Sequence, residues 1–366
     1  FGLPFVVLLR SSLGIKGAKY FGFLRGLVGI FMFGIQTYFL SKALSYLVRI
    51  LLFSIDPSLL DQDIFLTFLV GLNIIDWISI ILAIIIQTLL FSLGMSFNKR
   101  LIQFSAIGVY VGMLLFFFSV LLSDVKLTSE TFLSSLKFES FVDINNLGPL
   151  VTVAITIFAY FSITILSFGD FSRYVKDVKE LKKGNLSLIF NLLIFSFFAL
   201  FIVVGADVFL KQDIENLNRI FTNPMDIIGK MDNLLITNLV LIFIVLASLS
   251  TNLIANFIPS QYSLINLMPS TLSLKSSSYI IAFFGFIIGI FWLTFLSQVG
   301  ILSFVDTFGS FFGPLFGVMI VDFYSVKKGA LDSKSIYSTE SNGSYYYSGG
   351  WHLKGIYSLI LGFIFS

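Results

Sequence analysis

Apolar residues run through this chain in long blocks rather than in the short alternations of a soluble domain. A membrane-crossing helix needs about 20 predominantly apolar residues at about 1.5 Å rise each. Blocks of that length occupy residues 20–53, 77–97, 101–122, 149–169, 186–210, 233–258, 279–296 and 301–321. The pattern therefore predicts eight spanning helices. The first block is too long for one straight crossing, so it is expected to tilt or to project from the bilayer. Shorter apolar runs at 1–9 and 356–365 read as parts of two further membrane helices, so both chain ends are expected to be cuts through spans.

Polar positions between the blocks alternate in sign. Arg10, Lys16 and Lys19 precede the first span, and Lys99 and Arg100 follow the second. Arg173, Lys176, Lys179, Lys182 and Lys183 follow the fourth, Lys275 the sixth, and Lys327, Lys328 and Lys334 the eighth. The loops in between hold few basic residues and more acids: Asp56, Asp61 and Asp63; Asp124, Glu130, Glu139 and Asp143; Asp213, Glu215 and Asp226. Basic loops stay cytoplasmic. The alternation holds only if the span count is right, and it makes residues 66–75 a short interfacial or re-entrant piece on the outer side.

Composition strengthens the membrane reading. Of 366 residues, 57% are apolar and 12% charged, with 45 Phe. Soluble domains carry roughly 25% charged residues, so this chain lacks the charge to coat a water-facing surface. A net charge of +3 with scattered basic residues gives no nucleic-acid face. The absence of Cys excludes a disulfide framework, a thiol nucleophile and a Cys-held metal, and His352 is the one histidine. An intramembrane enzyme would need a catalytic His, Cys or carboxylate cluster in the membrane, and none is evident.

Charges inside the blocks are sparse. Arg25, Asp76, Asp170, Asp306 and Asp322 fall near predicted helix ends, where snorkelling or capping accounts for them. Uncharged polar residues are more suggestive. Ala247, Ser250 and Thr251 stand at i, i+3 and i+4, on one helix face. Two hydroxyls and a carbonyl suit a small hard cation; back-bonding hydroxyls in a tightly packed helix suit the pattern as well. Asn256 lies about 180° round from Ala247 and faces something else. Met32 and Gln36 are i, i+4 neighbours: an amide for the edge of a planar heterocycle beside a polarisable side chain for its face. Gln36 serves equally as glue between helices. Gly309, Gly313 and Gly317, with Pro314, read as a close-packing face, and His352 as a loop residue at the membrane surface.

Five stretches carry a resemblance to a known family. Residues 2–18 (Gly2-Leu-Pro-Phe through Arg10-Ser-Ser-Leu-Gly14 to Ala18) are similar to the loop entering the third helix of the nucleobase–cation symporters, whose members include uracil, allantoin, hydantoin and cytosine permeases. Phe33-Gly-Ile-Gln-Thr37, Ser250-Thr-Asn-Leu-Ile-Ala-Asn256 and Gly313-Pro-Leu-Phe-Gly-Val-Met-Ile-Val-Asp-Phe-Tyr324 resemble further family motifs in family order. Tyr345-Tyr-Tyr-Ser-Gly-Gly-Trp351 is similar to a loop of the uracil/allantoin branch.

The resemblance implies an all-α polytopic membrane protein with the LeuT-type five-plus-five inverted-repeat bundle, truncated at both ends. Residues 1–366 then form a single transporter domain holding the end of helix 2, helices 3 to 10 and part of helix 11. The remainder of the first repeat is 1–122, the second repeat 149–322, and a polar loop with partial helix 11 follows at 323–366. The implied function is import of a nucleobase or related planar heterocycle, such as uracil, allantoin or hydantoin, by cation symport with alternating access in a cell membrane. Substrate contacts fall on Gln36, Asn256, Phe161 and Met32, and a sodium half-site on Ala247, Ser250 and Thr251, to be completed by carbonyls of helix 1. H⁺ is the other coupling ion the family pattern leaves open, no cofactor is implied, and the expected partners are substrate, cation and lipid. A transporter-like solute sensor has the same sequence signature. The chain departs from many relatives at Met32 and Phe161, where they carry Trp, and at Lys42, where they carry a polar or acidic residue.

Overall fold

A computed structural model describes residues 2–136, 143–213, 222–228, 230, 233–332 and 334–366. Phe1, Glu139 and Glu215, invoked above, lie outside them. The described residues are nearly all helical. Among the described residues, eight helices are long and apolar enough to cross a membrane. They are α1 (Phe5–Ile55), α2 (Ile74–Ser92), α3 (Met95–Leu121), α4 (Leu147–Leu166), α5 (Val178–Asp213), α6 (Leu234–Leu267), α7 (Leu274–Leu296) and α8 (Ile301–Val326). A shorter apolar helix, α9 (Leu353–Ile364), follows. All eight predicted spans are present, with ends shifted by local chemistry.

Helix α1 agrees with the helical reading of the apolar run at 1–9, from Phe5 on, and corrects the expectation of a loop over the rest of residues 2–18. The chain is helical from Phe5, because Phe5, Val6, Leu9 and Leu13 recur at helical spacing and bury together with Ile163, Leu166, Phe312 and Leu315. One residue breaks the helix: Gly14 sits at φ 79°, ψ 175°. Only glycine takes that backbone without strain, and a Cβ there would stand 2.6 Å from the Gly350 carbonyl oxygen. Lys179, Lys182 and Lys183, expected in a loop, belong to the first turns of α5.

Starts and stops follow side-chain capping. Asn73 and Asp76 form a reciprocal capping box at α2, and Ser273 and Ser276 do the same at α7. Residues 66–75 do not span: a one-turn helix, Asp63–Leu66, gives way to a turn in which Val70 (φ 54°) and Gly71 (φ 73°) are left-handed and Leu69 pairs with Leu72. Between α3 and α4 lies an amphipathic helix, Val125–Ser135, capped by Asp124. Three helices widen into π-turns at Leu253–Phe257, Trp292–Leu296 and Asp322–Val326.

The chain divides into two compact units: Phe1–Ile35, Gly148–Val178 and Asn252–Ser366 form one, and Gln36–Leu147 with Lys179–Thr251 the other. Each takes part of both expected repeats. The first unit has the core around Leu9, Leu13 and Phe312; the second is built on Phe116, Val120, Ile202, Ala206, Leu241 and the short helix Pro224–Ile228. Large apolar side chains such as Leu188, Ile189, Phe190 and Leu193 of α5 stay exposed, as surfaces meant for lipid do.

In the first unit the Arg10–Gly14 motif and the Tyr345–Trp351 loop, far apart in sequence, lie on one another. Tyr347 Oη donates to the Ser11 carbonyl at 2.6 Å, Lys16 N to the Gly350 carbonyl at 2.8 Å, and Arg10 Nη1 to the Ile336 carbonyl at 3.1 Å. His352 lies in the loop before α9, as expected, and anchors that loop. Its Nδ1 lies 2.8 Å from the Ser12 carbonyl and its ring stacks on Tyr347 at 4.1 Å. Asp322 is buried, accepting from Ser12 Oγ at 3.0 Å and pairing with Lys327.

Candidate functional site

The first unit carries the better-defined candidate site, where α6 crosses α1. The sequence sets this geometry through Pro259. Proline has no N–H for the carbonyl four residues earlier, Ala255, and its ring crowds the turn. Upstream of it the helix widens, Ile258 N–H reaching back five residues to Leu253. The widened turn buries Asn256. Its Nδ2 donates to Asn252 Oδ1 at 2.9 Å, and Asn252 Nδ2 donates to the Phe33 carbonyl at 3.2 Å. The two amides thus form a buried relay from α6 to α1. Phe33 packs its ring 5.6 Å from Phe257.

Close backbone approach makes this possible. A Cβ on Gly34 would sit 2.7 Å from the Gly285 carbonyl oxygen, and one on Gly29 3.0 Å from that of Asn256. Ser260 Oγ donates to the Gly26 carbonyl at 3.1 Å. Met32 is buried in the same unit, and Phe161 is half-buried on α4 with its ring edge-on to Tyr160 at 5.6 Å.

Arg25 corrects the expectation that charges within the apolar blocks snorkel or cap near helix ends, whereas Asp170, just beyond the end of α4, does cap but is buried. Arg25 is fully buried and donates to the Ile163 carbonyl (3.1 Å), Ser167 Oγ (3.0 Å) and the Ala255 carbonyl (2.8 Å). Asp170, in the short helix Phe168–Ser172, is buried too and accepts from Phe5 N at 3.0 Å, capping the start of α1. Burial pushes its carboxyl up to about 6, against the opposing pull of Phe5 N–H, Arg25 and Arg173.

The second unit holds the other candidates. Ala247, Ser250 and Thr251 occupy one stretch of α6, the first two half-buried and Thr251 exposed. Ser250 Oγ donates to the Ala247 carbonyl at 3.1 Å, the back-bonding arrangement weighed above. Ala247 also lines an apolar cavity of about 180 Å³ with Met113, Phe116 and Phe243. Gln36 is half-buried on α1. Its neighbour Thr37 accepts from buried Gln87 Nε2 at 2.9 Å, tying α1 to α2. Lys42 has a partner in Asp76, 3.2 Å away, which also accepts from Ser45 Oγ at 2.7 Å.

Asn256, Met32 and Phe161 therefore share the first unit, whereas Gln36 and the Ala247–Ser250–Thr251 set belong to the second. Sequence reasoning missed Asn252, although it stands in the quoted motif at i−4 of Asn256. It also missed Gln87, and it underrated Arg25.

A family model described as permease for cytosine/purines, uracil, thiamine, allantoin matches residues 1–366. The chain belongs to that family. Similar curated proteins include a purine-uracil permease NCS1 of Arabidopsis thaliana, 28% identical over 365 residues, covering 100% of this chain and 58% of the relative. An allantoin permease of Bacillus subtilis (strain 168) is 26% identical over 370 residues, covering 100% of this chain and 71% of the relative. The chain thus spans under two thirds of the plant relative's length. Among solved structures it resembles Mhp1, a nucleobase-cation-symport-1 family transporter, in a closed conformation with bromovinylhydantoin bound, at TM-score 0.66 and 19% identity, over 99% of this chain and 76% of that one. The inward-facing conformation of Mhp1 matches at TM-score 0.64 and 18% identity, over 99% and 75%. The fold is accordingly that of the LeuT-type transporters, and the chain is a multi-pass integral membrane protein of a permease family, not an enzyme family.

Proposed function

We propose that the protein is a secondary active transporter that imports a nucleobase or related planar heterocycle by cation symport. The observation that carries this reading is the family match along the whole chain. The buried Asn256–Asn252 relay supports it locally: an amide held in place inside a membrane suits the polar edge of a ring better than it suits lipid.

In this reading Asn256 and Gln36 meet the edge of the heterocycle, while Met32 and Phe161 meet its faces. Phe161 stacks with less area than a Trp, and Met32 adapts to more ring shapes. The coupling ion is Na⁺, held in part by the Ala247 carbonyl and the hydroxyls of Ser250 and Thr251, which are neutral oxygens of the hardness it needs. Ser250 already points its hydroxyl at Ala247, so binding would exchange an internal hydrogen bond for ion contacts. Coupling then lies in the cation's differential affinity for the outward- and inward-open states.

A thermal-shift screen of the purified protein against uracil, allantoin, hydantoin and adenine, with and without Na⁺, tests the reading. Sodium-dependent stabilisation by one heterocycle is expected, since a ligand that binds only the folded state raises its stability. Asn256→Ala and Gln36→Ala should each reduce that shift. A full shift in both variants overturns the site, and stabilisation by no heterocycle overturns the function.

A further inference from the structure

Arg25 has no part in the function proposed above, yet it is the bulkiest fully buried side chain of the described residues. Burying a guanidinium in a membrane helix is costly unless its donors are used. Two of its acceptors are carbonyls that helix geometry leaves open. Ile163 lies in the last turn of α4, where carbonyls lack a helical donor. Ala255 is the residue to which Pro259 cannot donate. Directly after Ala255 comes Asn256, inside the widened turn.

One turn on from Arg25, Gly29 admits α6 to backbone contact. A Cβ there would fall 2.8 Å from Arg25 Nη1, 3.0 Å from the Asn256 oxygen and 2.1 Å from Ser260 Oγ. Nη1 is the nitrogen of the fork without a hydrogen-bond partner among the described residues, so the α6 end of the guanidinium is held through Nη2 on Ala255. The guanidinium therefore braces α4 and the π-turn of α6 from α1, all within the first unit.

We propose that Arg25 is a positioning residue for substrate: together with Pro259 it keeps the α6 turn widened and the Asn256 amide directed at the heterocycle. The inference rests on Asn256 being a substrate contact. If the turn closed to a regular helix, one residue of register would rotate by about 100° and carry Asn256 off its relay. Arg25 itself need not touch the substrate.

The test measures initial uptake rates of radiolabelled allantoin and radiolabelled uracil by the full-length protein in proteoliposomes, together with melting temperatures without substrate. Arg25→Gln should raise KM about tenfold with Vmax within about twofold, roughly the loss of one well-placed hydrogen bond. The ligand-free melting temperature should stay within a few degrees. Arg25→Lys should fall in between, since an ammonium reaches one carbonyl but lacks the planar fork. Pro259→Ala restores the helix's own donor to Ala255 and should raise KM with Arg25 and Asn256 both intact. This variant also decides the matter should Arg25→Gln fail to fold. Unchanged KM in Arg25→Gln and Pro259→Ala, with a raised KM in Asn256→Ala, overturns the positioning role alone. Unchanged KM in Asn256→Ala overturns the substrate site and this inference with it.

Discussion

At the scale of single residues, a charge in the membrane is understood by its partners rather than its depth. Lys42 pairs with Asp76 at 3.2 Å, with Arg49 at 3.7 Å and Ser45 Oγ on the same carboxylate oxygen. Asp76 is the hub, so the two ends of the pair should respond unequally. Asp76→Asn leaves two cations against a neutral amide and should cost about 3 kcal/mol. Lys42→Met leaves the carboxylate with Arg49, Ser45 and the Asn73 cap and should cost under about 1 kcal/mol. Denaturation midpoints in detergent rank them, and equal losses would contradict the hub. Asp170 gives a pH signature. Its folded-state pKa, about 6, lies above the ordinary value of 3.8, so between those two values the native state keeps a proton that the unfolded chain has lost. Its contribution to stability therefore falls as pH rises through that window and is flat above it. The melting temperature of wild type minus that of Asp170→Asn should become more positive on acidification from about pH 7.5 to 4.5, because only the wild type gains a proton there; a difference that does not change with pH would show that Asp170 does not titrate there.

At the scale of elements, eight spans were legible because lipid demands one thing, a sufficient run of apolar residues, and the chain writes it openly. The break at Gly14 was not, since nothing in the composition of residues 2–18 says that the Gly350 carbonyl will press against that glycine. The π-turn at Leu253–Phe257 was half legible: Pro259 announces a disturbed helix, but widening rather than kinking depends on what receives the Ala255 carbonyl. Of the glycine face on α8, Gly309 packs as expected, a Cβ there coming within 2.2 Å of Ala159 Cβ, whereas Gly317 has nothing within 4 Å. Spacing cannot tell these apart, because it does not reveal where the neighbouring helix ends. Gly309→Ala should destabilise by about 1–3 kcal/mol through overpacking. Gly317→Ala should be neutral or stabilising by up to about 1 kcal/mol, as Ala lowers the entropy cost of the helix. Melting temperatures in detergent separate them, and equal sensitivity at both positions would refute the contact.

At the scale of the molecule, the candidate site was legible as residue types and not as a grouping. The amides and hydroxyls stood out in an apolar chain, but Gln36 and Asn256 are assigned to different units, and the boundaries fall inside α1 and α6, beside the motifs themselves. What the sequence does carry at this scale is orientation. With eight spans, the basic stretches around Lys182 and after Lys327 lie on one side of the membrane, and the acidic ones around Asp61 and Glu130 on the other. Gln62, Glu130, Lys182 and Ser341 are all exposed, and the 366 residues contain no cysteine of their own, so single cysteines at these positions report topology directly. If basic loops face the cytoplasm, a membrane-impermeant thiol reagent labels Gln62→Cys and Glu130→Cys in intact cells. Lys182→Cys and Ser341→Cys become reactive only after permeabilisation. The fully inverted pattern would leave the span count intact and overturn the orientation. Labelling of Gln62→Cys together with Lys182→Cys would instead break the alternation, and with it the assignment of residues 66–75 to a non-spanning turn between α1 and α2.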